Sequence, residues 1–150
     1  MATEVLFTRA GSVAEAIARL IRANSGSLDA ALYRFNNSHL GEALEDAVRR
    51  GTKLRLVLDS NKFEESKTTR KLLADHHLPF RITYGLLGPG SKMHHKFIIL
   101  DGSTVLTGSY NWTLESEEEN YENLLILRES SPVELYCQEF EALWAKASEV

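Results

Sequence analysis

A chain of 150 residues, of which 43% are hydrophobic, is long enough to bury one core without disulfides or structural metals. A single cysteine excludes an internal disulfide and a cysteine-rich metal site. The net charge of −4 hides an uneven distribution, because residues 51–100 carry +5 and residues 101–150 carry −9. We therefore expect one domain over residues 1–150, with a basic middle and an acidic end.

The first half of the chain alternates predicted strands and helices. Short apolar runs or alternating patterns predict strands at residues 5–7, 28–35 and 53–58. A capping box formed by Ser12 and Glu15 begins the first helix, and Gly51 ends the second. A third helix is predicted over residues 65–73.

The second half continues this alternation. A strand at 80–84 leads into a glycine-rich loop at 85–91, and two apolar strands lie within residues 93–113. An acidic, solvated loop is expected at 115–119, followed by a strand at 124–127. The last helix is predicted to begin with a capping box, Ser131 to Glu134, with Pro132 at its first position. This order predicts an α/β fold with a mixed β-sheet flanked by helices on both faces.

The expected location of the protein depends on two kinds of segment, a transmembrane helix and a signal peptide. No window approaches the roughly 18 apolar residues of a transmembrane helix. Residues 1–11 show neither the basic start nor the apolar core of a signal peptide. We therefore expect a cytoplasmic protein without a membrane span, and a removed export signal is the alternative.

Polar side chains interrupt the two apolar strands of residues 93–113. Side chains alternate between the faces of a strand, so His94 and Lys96 point one way and His95 points the other way. On the following strand, Ser109 and Asn111 share one face for the same reason. Whether these four residues meet depends on the turn between the strands.

A strong hairpin signal, Asp101-Gly102, lies between the strands. A two-residue loop of either Asp101-Gly102 or Gly102-Ser103 would place all four polar side chains on one face. A three-residue loop would turn Ser109 and Asn111 away. With a two-residue loop, an imidazole, an ammonium, a hydroxyl and an amide would surround one point, an arrangement that suits an anion with several oxygens, such as a phosphodiester.

The spacing of these residues matches a known pattern. It reads His94-x-Lys96, four residues, Asp101, six residues, Gly108-Ser109, one residue, Asn111. This resembles the HKD motif of the phospholipase D superfamily, and in particular its small single-motif branch of EDTA-resistant endonucleases and mitochondrial phospholipase-D-like nucleases. The segment 120–123, Asn-Tyr-Glu-Asn, is similar to the Asn-x-Glu-Asn element of that branch. The resemblance implies a phospholipase D-like sandwich.

The resemblance also implies a mechanism. One histidine attacks phosphorus to give a phosphohistidine, and a second histidine protonates the leaving oxygen and then activates water. The chain contains one copy of the motif, so the second histidine would be His94 of another copy in a twofold homodimer with a composite active site. No step requires a metal or another cofactor.

The same resemblance assigns roles to the remaining motif residues. Lys96 and Asn111 would hold the non-bridging oxygens, and Ser109 would orient these groups or the phosphate. Glu122 would fix the tautomer of the imidazole. Asp101 and Gly108 are expected to be structural.

These expectations favour a metal-independent endonuclease that acts on DNA or RNA, either single-stranded or without sequence preference. Two alternatives remain open from the sequence: a phospholipid phosphodiesterase of the same superfamily, and a catalytically quiet module that binds nucleic acid or a partner. Basic groups after the third strand and before the motif, together with one tryptophan that could stack on a base, are the candidate substrate contacts. They are Lys62, Lys67, Arg70, Lys71, Lys92 and Trp112.

Overall fold

The computed structural model describes residues 3–24 and 26–150. Within them, seven strands form one mixed sheet and six α-helices accompany it. The strands are β1 (Glu4–Phe7), β2 (Ser27–Leu32), β3 (Lys53–Asp59), β4 (Arg81–Thr83), β5 (Lys96–Leu100), β6 (Thr104–Gly108) and β7 (Asn123–Leu127). The helices are α1 (Val13–Arg22), α2 (Ser38–Arg49), α3 (Ser60–Glu65), α4 (Lys67–Asp75), α5 (Leu114–Glu118) and α6 (Ser130–Lys146).

The strand order in the sheet is β1-β7-β6-β5-β2-β3-β4. Strands β2, β3 and β4 run parallel, whereas each of the pairs β2–β5, β5–β6, β6–β7 and β7–β1 is antiparallel. As a result, the ends of some strands and the starts of others meet at one edge, which we call the upper edge. It contains Phe7, Leu32, Asp59, Thr83, Lys96, Gly108 and Asn123.

The core lies in two layers, one on each face of the sheet. On one face, α1, α2 and α4 bury residues such as Ile17, Leu44 and Leu72. On the other face, α6 packs Val133 and Phe140 against the sheet. The predicted α/β class, with helices on both faces of a mixed sheet, is confirmed.

The first helix begins where the sequence predicts. The Ser12 hydroxyl accepts a hydrogen bond from the backbone N–H of Glu15 at 3.0 Å, which satisfies one of the free amides of the first turn of α1. The second helix ends at Arg49, and Gly51 follows with a φ of 93° that favours glycine.

Two predicted segments have a different structure. The helix expected over 65–73 is interrupted at Ser66, so that Glu65 ends α3 and Lys67 begins α4. Ser66 is extended, and its hydroxyl caps α4 by accepting from the N–H of Thr69. The loop expected at 115–119 is wrong, since α5 occupies residues 114–118. The Thr113 hydroxyl caps α5 by accepting from the N–H of Ser116.

The start of the last helix and two strand boundaries also differ. Helix α6 begins at Ser130, directly after Glu129, so the predicted capping box at Ser131 is wrong. Pro132 is tolerated because the first turn of a helix has no partner for its N–H groups. The predicted strands 28–35 and 80–84 are shorter, since β2 stops at Leu32 and β4 covers only Arg81–Thr83.

The turn between β5 and β6 differs from both sequence alternatives. Leu100 pairs with Thr104, so three residues lie between the paired strands, and both two-residue loops are wrong. The Asp-Gly turn itself does form, with positive φ at Asp101 (53°) and Gly102 (65°). The extra residue is Ser103, whose N–H closes the turn on the Leu100 carbonyl.

A long-range contact accounts for this turn. The Asp101 carboxylate accepts from the backbone N–H groups of Gly26 and Ser27, and the Asp101 N–H donates to the Ser27 carbonyl. These bonds attach the turn to the start of β2, at the edge of the sheet opposite the upper edge. Because the loop has three residues, alternation along the paired strands would place Ser109 and Asn111 on the face of the sheet opposite to His94. The expectation that strand alternation places all four polar side chains on one face is therefore wrong.

Candidate active site

The ends of strands, and not the alternation of side chains, bring the motif residues to the upper edge. His94 lies just before the start of β5, and Ser109 and Asn111 follow the end of β6. Glu122 lies just before the start of β7. Since β5, β6 and β7 are neighbours, these four residues belong to adjacent strand ends.

His94 and Lys96 are in direct contact. The Nζ of Lys96 lies 3.2 Å from Nδ1 and 3.5 Å from Nε2 of His94, and it donates to the His94 carbonyl oxygen at 2.9 Å. The imidazole packs against the ring of Tyr33 with a centroid distance of 4.4 Å. His94 is exposed and Lys96 is half-buried, so the pair opens to solvent.

The surroundings of this pair lower the pKa of both groups. Burial, and then the positive charges of Lys96 and Lys92, hold the pKa of His94 below its ordinary value of 6.5. Burial lowers the pKa of Lys96, and the charge of Glu122 opposes this shift. The neutral imidazole is therefore favoured beside a lysine that sits close to a carboxylate.

Glu122 organises the other side of the site. Its carboxylate accepts from the hydroxyl of Ser109 at 2.6 Å, the hydroxyl of Ser116 at 3.0 Å and the side-chain amide of Asn120 at 3.0 Å. The hydroxyl of Ser109 in turn accepts from the N–H of Asn123. Within the described residues, Glu122 makes no hydrogen bond to His94 of the same chain. The tautomer-fixing contact expected from the sequence is therefore not formed within one protomer.

Asn111 lies between these groups and the core. It is half-buried, and its backbone carbonyl accepts from the N–H of Thr113. In the described part of the chain, its Oδ1 is the one buried side-chain N or O atom without a hydrogen-bond partner. A buried acceptor without a partner costs free energy in the isolated protomer.

Two residues of the site were not identified from the sequence. Tyr33 follows the end of β2, and besides His94 its ring contacts the Nζ of Lys96 at 5.4 Å and of Lys62 at 5.7 Å. It was read as part of an ordinary apolar strand. The sequence carried no signal for it, because the predicted strand continued to residue 35 and the end of β2 at Leu32 is visible only in the structure.

Asp59 is the second missed residue. It ends β3 and is fully buried, and its carboxylate accepts from the N–H groups of Lys62 and Met93 at 2.9 Å each. These two bonds hold the residue before His94 and the first turn of α3. An aspartate at the end of a strand and the start of a helix is a recognisable cap, but its bond to Met93 is long-range.

Some of the predicted substrate contacts line one cleft of ≈ 500 Å³ at the upper edge. Lys62 and Lys67 share this cleft with Arg34, which the sequence analysis did not select. Lys62 also pairs with Glu65, and Arg34 pairs with Glu115. The centroid of the Tyr33 ring lies 4.4 Å from the centroid of the His94 ring and 5.7 Å from the Nζ of Lys62. The Nζ of Lys62 is therefore within about 10 Å of the His94 ring.

The remaining predicted contacts are placed differently. Lys92 is exposed and lines a cleft of ≈ 550 Å³ with His94. Arg70 is tied to the carbonyls of Phe63 and Glu64, and Lys71 pairs with Asp75 one turn along α4. Neither lines the cleft of Lys62.

Trp112 does not present a stacking surface. It is 2% exposed and packs edge-on against Phe35 in the core. A base has no access to its ring, so the suggested stacking role has no support in this geometry.

Asp101 and Gly108 shape the backbone. Asp101 lies far from His94, at the opposite end of β5, where it anchors the turn. Gly108 faces the start of β7, and a Cβ there would lie 2.3 Å from the carbonyl oxygen of Asn123. Any larger residue would push β6 and β7 apart beside Ser109.

Two further properties concern metals and membranes. Among residues 3–24 and 26–150, no group of three or more His, Cys, Asp or Glu side chains is arranged to hold a metal ion. Across the same residues, no helix combines the length and the apolar character needed to cross a bilayer.

Comparisons with known proteins agree with the fold and the superfamily. Residues 17–144 match the family described as "Cardiolipin synthase, PLD-like domain". The human protein named mitochondrial cardiolipin hydrolase is 36% identical over 132 residues, which is 86% of this chain and 51% of the relative. The chain thus spans about half the length of this curated relative.

Two solved structures share the fold. Nuc from Salmonella typhimurium, described as a phospholipase D family member, has a TM-score of 0.87 and 24% identity, and the match covers 99% of this chain and 97% of that chain. NucT from Helicobacter pylori has a TM-score of 0.88 and 20% identity, with 99% of each chain covered. At this identity, the two likenesses establish the architecture alone.

The comparisons correct one expectation. The curated relatives from human, mouse and dog all carry a name that assigns them to mitochondria. The cytoplasmic location predicted from the sequence is contradicted by this finding. It had rested on missing segments, and composition alone is a weak guide to location.

Proposed function

The chain belongs to the phospholipase D superfamily, and from that premise we propose that it is a metal-independent phosphodiesterase that cleaves nucleic acid in a twofold dimer. The observation that carries this proposal is the contact between Lys96 and His94, which favours a neutral imidazole at an open edge of the sheet. A neutral imidazole is the form that can attack phosphorus.

His94 is the nucleophile in this proposal. A ring nitrogen of His94 forms a bond to phosphorus while the bond to the leaving oxygen breaks, and a protonated imidazole gives its proton to that oxygen. Water then attacks phosphorus, the second imidazole takes a proton from the water, and the bond between phosphorus and His94 breaks. The net reaction is hydrolysis of one phosphodiester bond.

The second imidazole must come from another copy. Within the described residues, three of the other histidines pair with carboxylates: His39 with Glu15, His76 with Glu45, and His95, which lies beside His94 in one cleft, with Glu139. His77 lies after the end of α4. The arrangement therefore supports a dimer in which two His94 residues face each other across a twofold axis.

The remaining groups bind and orient the phosphate. Lys96 and the side-chain amide of Asn111 would contact the non-bridging oxygens as negative charge develops on them. Ser109, held by Glu122, would fix the phosphate or the nearby imidazole.

A nucleic acid substrate is supported by the cleft of Arg34, Lys62 and Lys67, which starts within about 10 Å of His94. This cleft holds three cations and the carboxylate of Glu65, and its surplus of positive charge suits the neighbouring phosphates of a polymer.

A second candidate is hydrolysis of a phospholipid. It is favoured by the human relative, which is named a cardiolipin hydrolase. The chemistry at phosphorus would be the same, and only the groups that hold the rest of the substrate would differ.

One assay separates these functions. The pure protein is incubated in excess EDTA with single-stranded DNA, duplex DNA, RNA and cardiolipin vesicles, and His94→Ala is run in parallel. We expect cleavage of a nucleic acid that survives EDTA and is absent from the variant. Cleavage of the vesicles alone would establish the lipid reaction. Loss of activity on chelation, with rescue by Mg²⁺, would indicate metal catalysis. If no substrate were turned over, the protein would be a binding module and not an enzyme.

A further inference from the structure

A buried carboxylate lies near the proposed nucleophile and takes part in no step of the proposed reaction. Asp59 ends β3 and is 0% exposed. Its Oδ2 accepts from the N–H of Lys62 and so caps α3, and its Oδ1 accepts from the N–H of Met93, both at 2.9 Å. In the described part of the chain, no salt bridge reaches this carboxylate, and the ammonium group of Lys62 pairs with Glu65 instead.

The cap of α3 does not by itself require a charge. Helices α1, α2 and α4 begin with neutral caps, which are Ser12, Asn37 and Ser66. Neutral groups of this kind cap a helix about as well as aspartate does, and they avoid the cost of burying an ionised carboxylate. A hydroxyl cap would lack the second acceptor oxygen and the negative charge. The bond to Met93 and the charge of Asp59 are therefore the two features that a role in the site would explain.

The bond to Met93 fixes the backbone at His94, which lies before the start of β5. On one side of His94, the N–H of Met93 is bound by Asp59. On the other side, the carbonyl oxygen of His95 accepts from the N–H of Tyr33 at 2.9 Å. Groups at the ends of β3 and β2 thus hold the backbone both before and after the nucleophile.

The first turn of α3 makes a second bond to the same segment. The side-chain amide of Asn61 donates to the carbonyl oxygen of Ser91 at 3.3 Å. We call Asp59 and Asn61 the α3 clamp. Since α3 directly follows β3, the clamp attaches residues 91–93 to a strand that is paired on both sides, with β2 and with β4. The position of His94 relative to the sheet therefore depends on this clamp.

The charge of Asp59 acts on the same histidine. Burial lowers the pKa of His94 most, and the positive charges of Lys96 and Lys92 lower it further. The negative charge of Asp59 raises this pKa, and His95 has a smaller, lowering effect. In the proposed reaction, one imidazole is neutral and the other gives a proton to the leaving oxygen. A negative charge that opposes the lysines keeps the protonated form accessible.

We propose that Asp59 is a positioning residue of the active site, which fixes the backbone in front of His94 through Met93 and places a buried negative charge near the imidazole. This inference rests on the proposed function, because it assigns a role in that reaction. Asp59 acts through His94 and reaches no substrate, since its side chain is fully buried. Its removal should therefore affect kcat and not KM.

The variant Asp59→Asn tests both parts of the inference. Asparagine keeps the size of the side chain and can still cap α3, but it offers one acceptor oxygen to two N–H groups and carries no charge. We expect kcat to fall about 10- to 100-fold and KM to change less than about threefold, because a displaced nucleophile slows the reaction without weakening substrate binding. In an NMR titration, the pKa of His94 should lie below its wild-type value, since the opposing negative charge is gone.

Two further variants separate position from charge. Asp75→Asn is the matched control, because exposed Asp75 loses the same charge at the end of α4, where it pairs with Lys71. It should leave kcat, KM and the pKa of His94 unchanged. Asn61→Ala removes the other bond of the α3 clamp without a change of charge. It should lower kcat about 3- to 10-fold and leave the pKa of His94 unmoved.

The outcomes are distinguishable by combining kinetics, the titration and thermal unfolding. A folded Asp59→Asn variant that keeps the wild-type kcat would overturn the inference, and so would one that is only less stable while the pKa of His94 is unmoved. If Asp59→Asn did not fold, Asn61→Ala would decide: a lowered kcat supports the clamp, and an unchanged kcat refutes it. A lowered pKa of His94 in Asp59→Asn, with a wild type that cleaves no phosphodiester, would support the placement of the charge and refute the proposed function.

Discussion

The Nζ of Lys96 lies 3.2 Å from Nδ1 of His94 and donates to the carbonyl oxygen of the same residue. The second bond holds the ammonium group near the ring, so its charge acts on the imidazole. A cation at this distance disfavours protonation of the ring. The contact therefore links the motif directly to the form of the histidine that can attack phosphorus.

Removal of His94 should abolish turnover. We expect His94→Ala to lower kcat by at least about 1,000-fold without loss of fold, because His94 is the proposed nucleophile. His95→Ala is the matched control, since His95 pairs with Glu139 and packs against Phe97 on the other face of the sheet. Steady-state kinetics and circular dichroism provide the measurement. Equal losses in two folded variants would refute the assignment of His94.

The pKa of His94 should respond to its lysine neighbours in a defined order. In the wild type, NMR titration should place the pKa below 6.5, and Lys96→Met should raise it toward 6.5 because the nearest positive charge is removed. Lys92→Ala should raise it less, and the effect of burial remains in both variants. The neutral form consequently persists to lower pH in the wild type than in either variant. A pKa that is unchanged in Lys96→Met would contradict this account.

Glu122 should act through Ser109 and Lys96. We expect Glu122→Gln to lower kcat by about 10- to 100-fold, since an amide cannot accept from three donors as a carboxylate does. Because the charge of Glu122 raises the pKa of Lys96 against burial, its removal should also shift the loss of activity at high pH to a lower pH. The exposed Glu118 on α5 gives the control, Glu118→Gln. A fall in kcat with an unmoved alkaline limb would show that Glu122 supports only local structure.

The salt dependence of nucleic acid cleavage should distinguish the lysines. In the structure, Lys67 lines the cleft of Arg34 and Lys62, whereas Lys71 pairs with Asp75 elsewhere on α4. Under subsaturating substrate, Lys67→Ala should therefore reduce the slope of log kcat/KM against log salt by about one, and Lys71→Ala should reduce it much less. If the two variants had equal slopes, the cleft would not follow the substrate backbone.

A composite site predicts an all-or-none effect in a tandem dimer. Two copies joined by a flexible linker, with His94→Ala in one copy, should retain only a few per cent of the activity, because one reaction needs both histidines. The comparison is a tandem dimer with His95→Ala in one copy. Retention of half the activity would mean that each protomer holds an independent site.

Part of the fold followed from local patterns. The cap of α1 at Ser12, the end of α2 before Gly51 and the α/β class depend on neighbouring residues in the chain, and they agree with the structure. The two-residue turn, the acidic loop and the start of α6 were wrong. In the first of these, Asp101 binds Gly26 and Ser27, which are about 75 residues away in sequence, and no local pattern contains that contact.

The acidic segment shows the same limit. Glu115 and Glu117 read as solvated charges, yet Glu115 binds Arg34, and Glu117 accepts from Tyr110 and from the N–H of Ala14. Charge patterning describes how a segment interacts with water, whereas these partners become available only after the sheet has formed. The segment therefore folds as helix α5.

The sequence by itself determined the proposal for the chemistry of the site, because the HKD-like spacing is a property of a short stretch in which His94 and Lys96 are two residues apart. Only the tertiary structure decided how that site is assembled. Antiparallel and parallel strands bring the ends of β2, β3 and β6 to the starts of β5 and β7, and this adds Tyr33 and Asp59 to the motif residues. The reason is physical: side-chain alternation is fixed within a strand, but beyond its end the chain is free to turn, and packing between distant segments sets its direction.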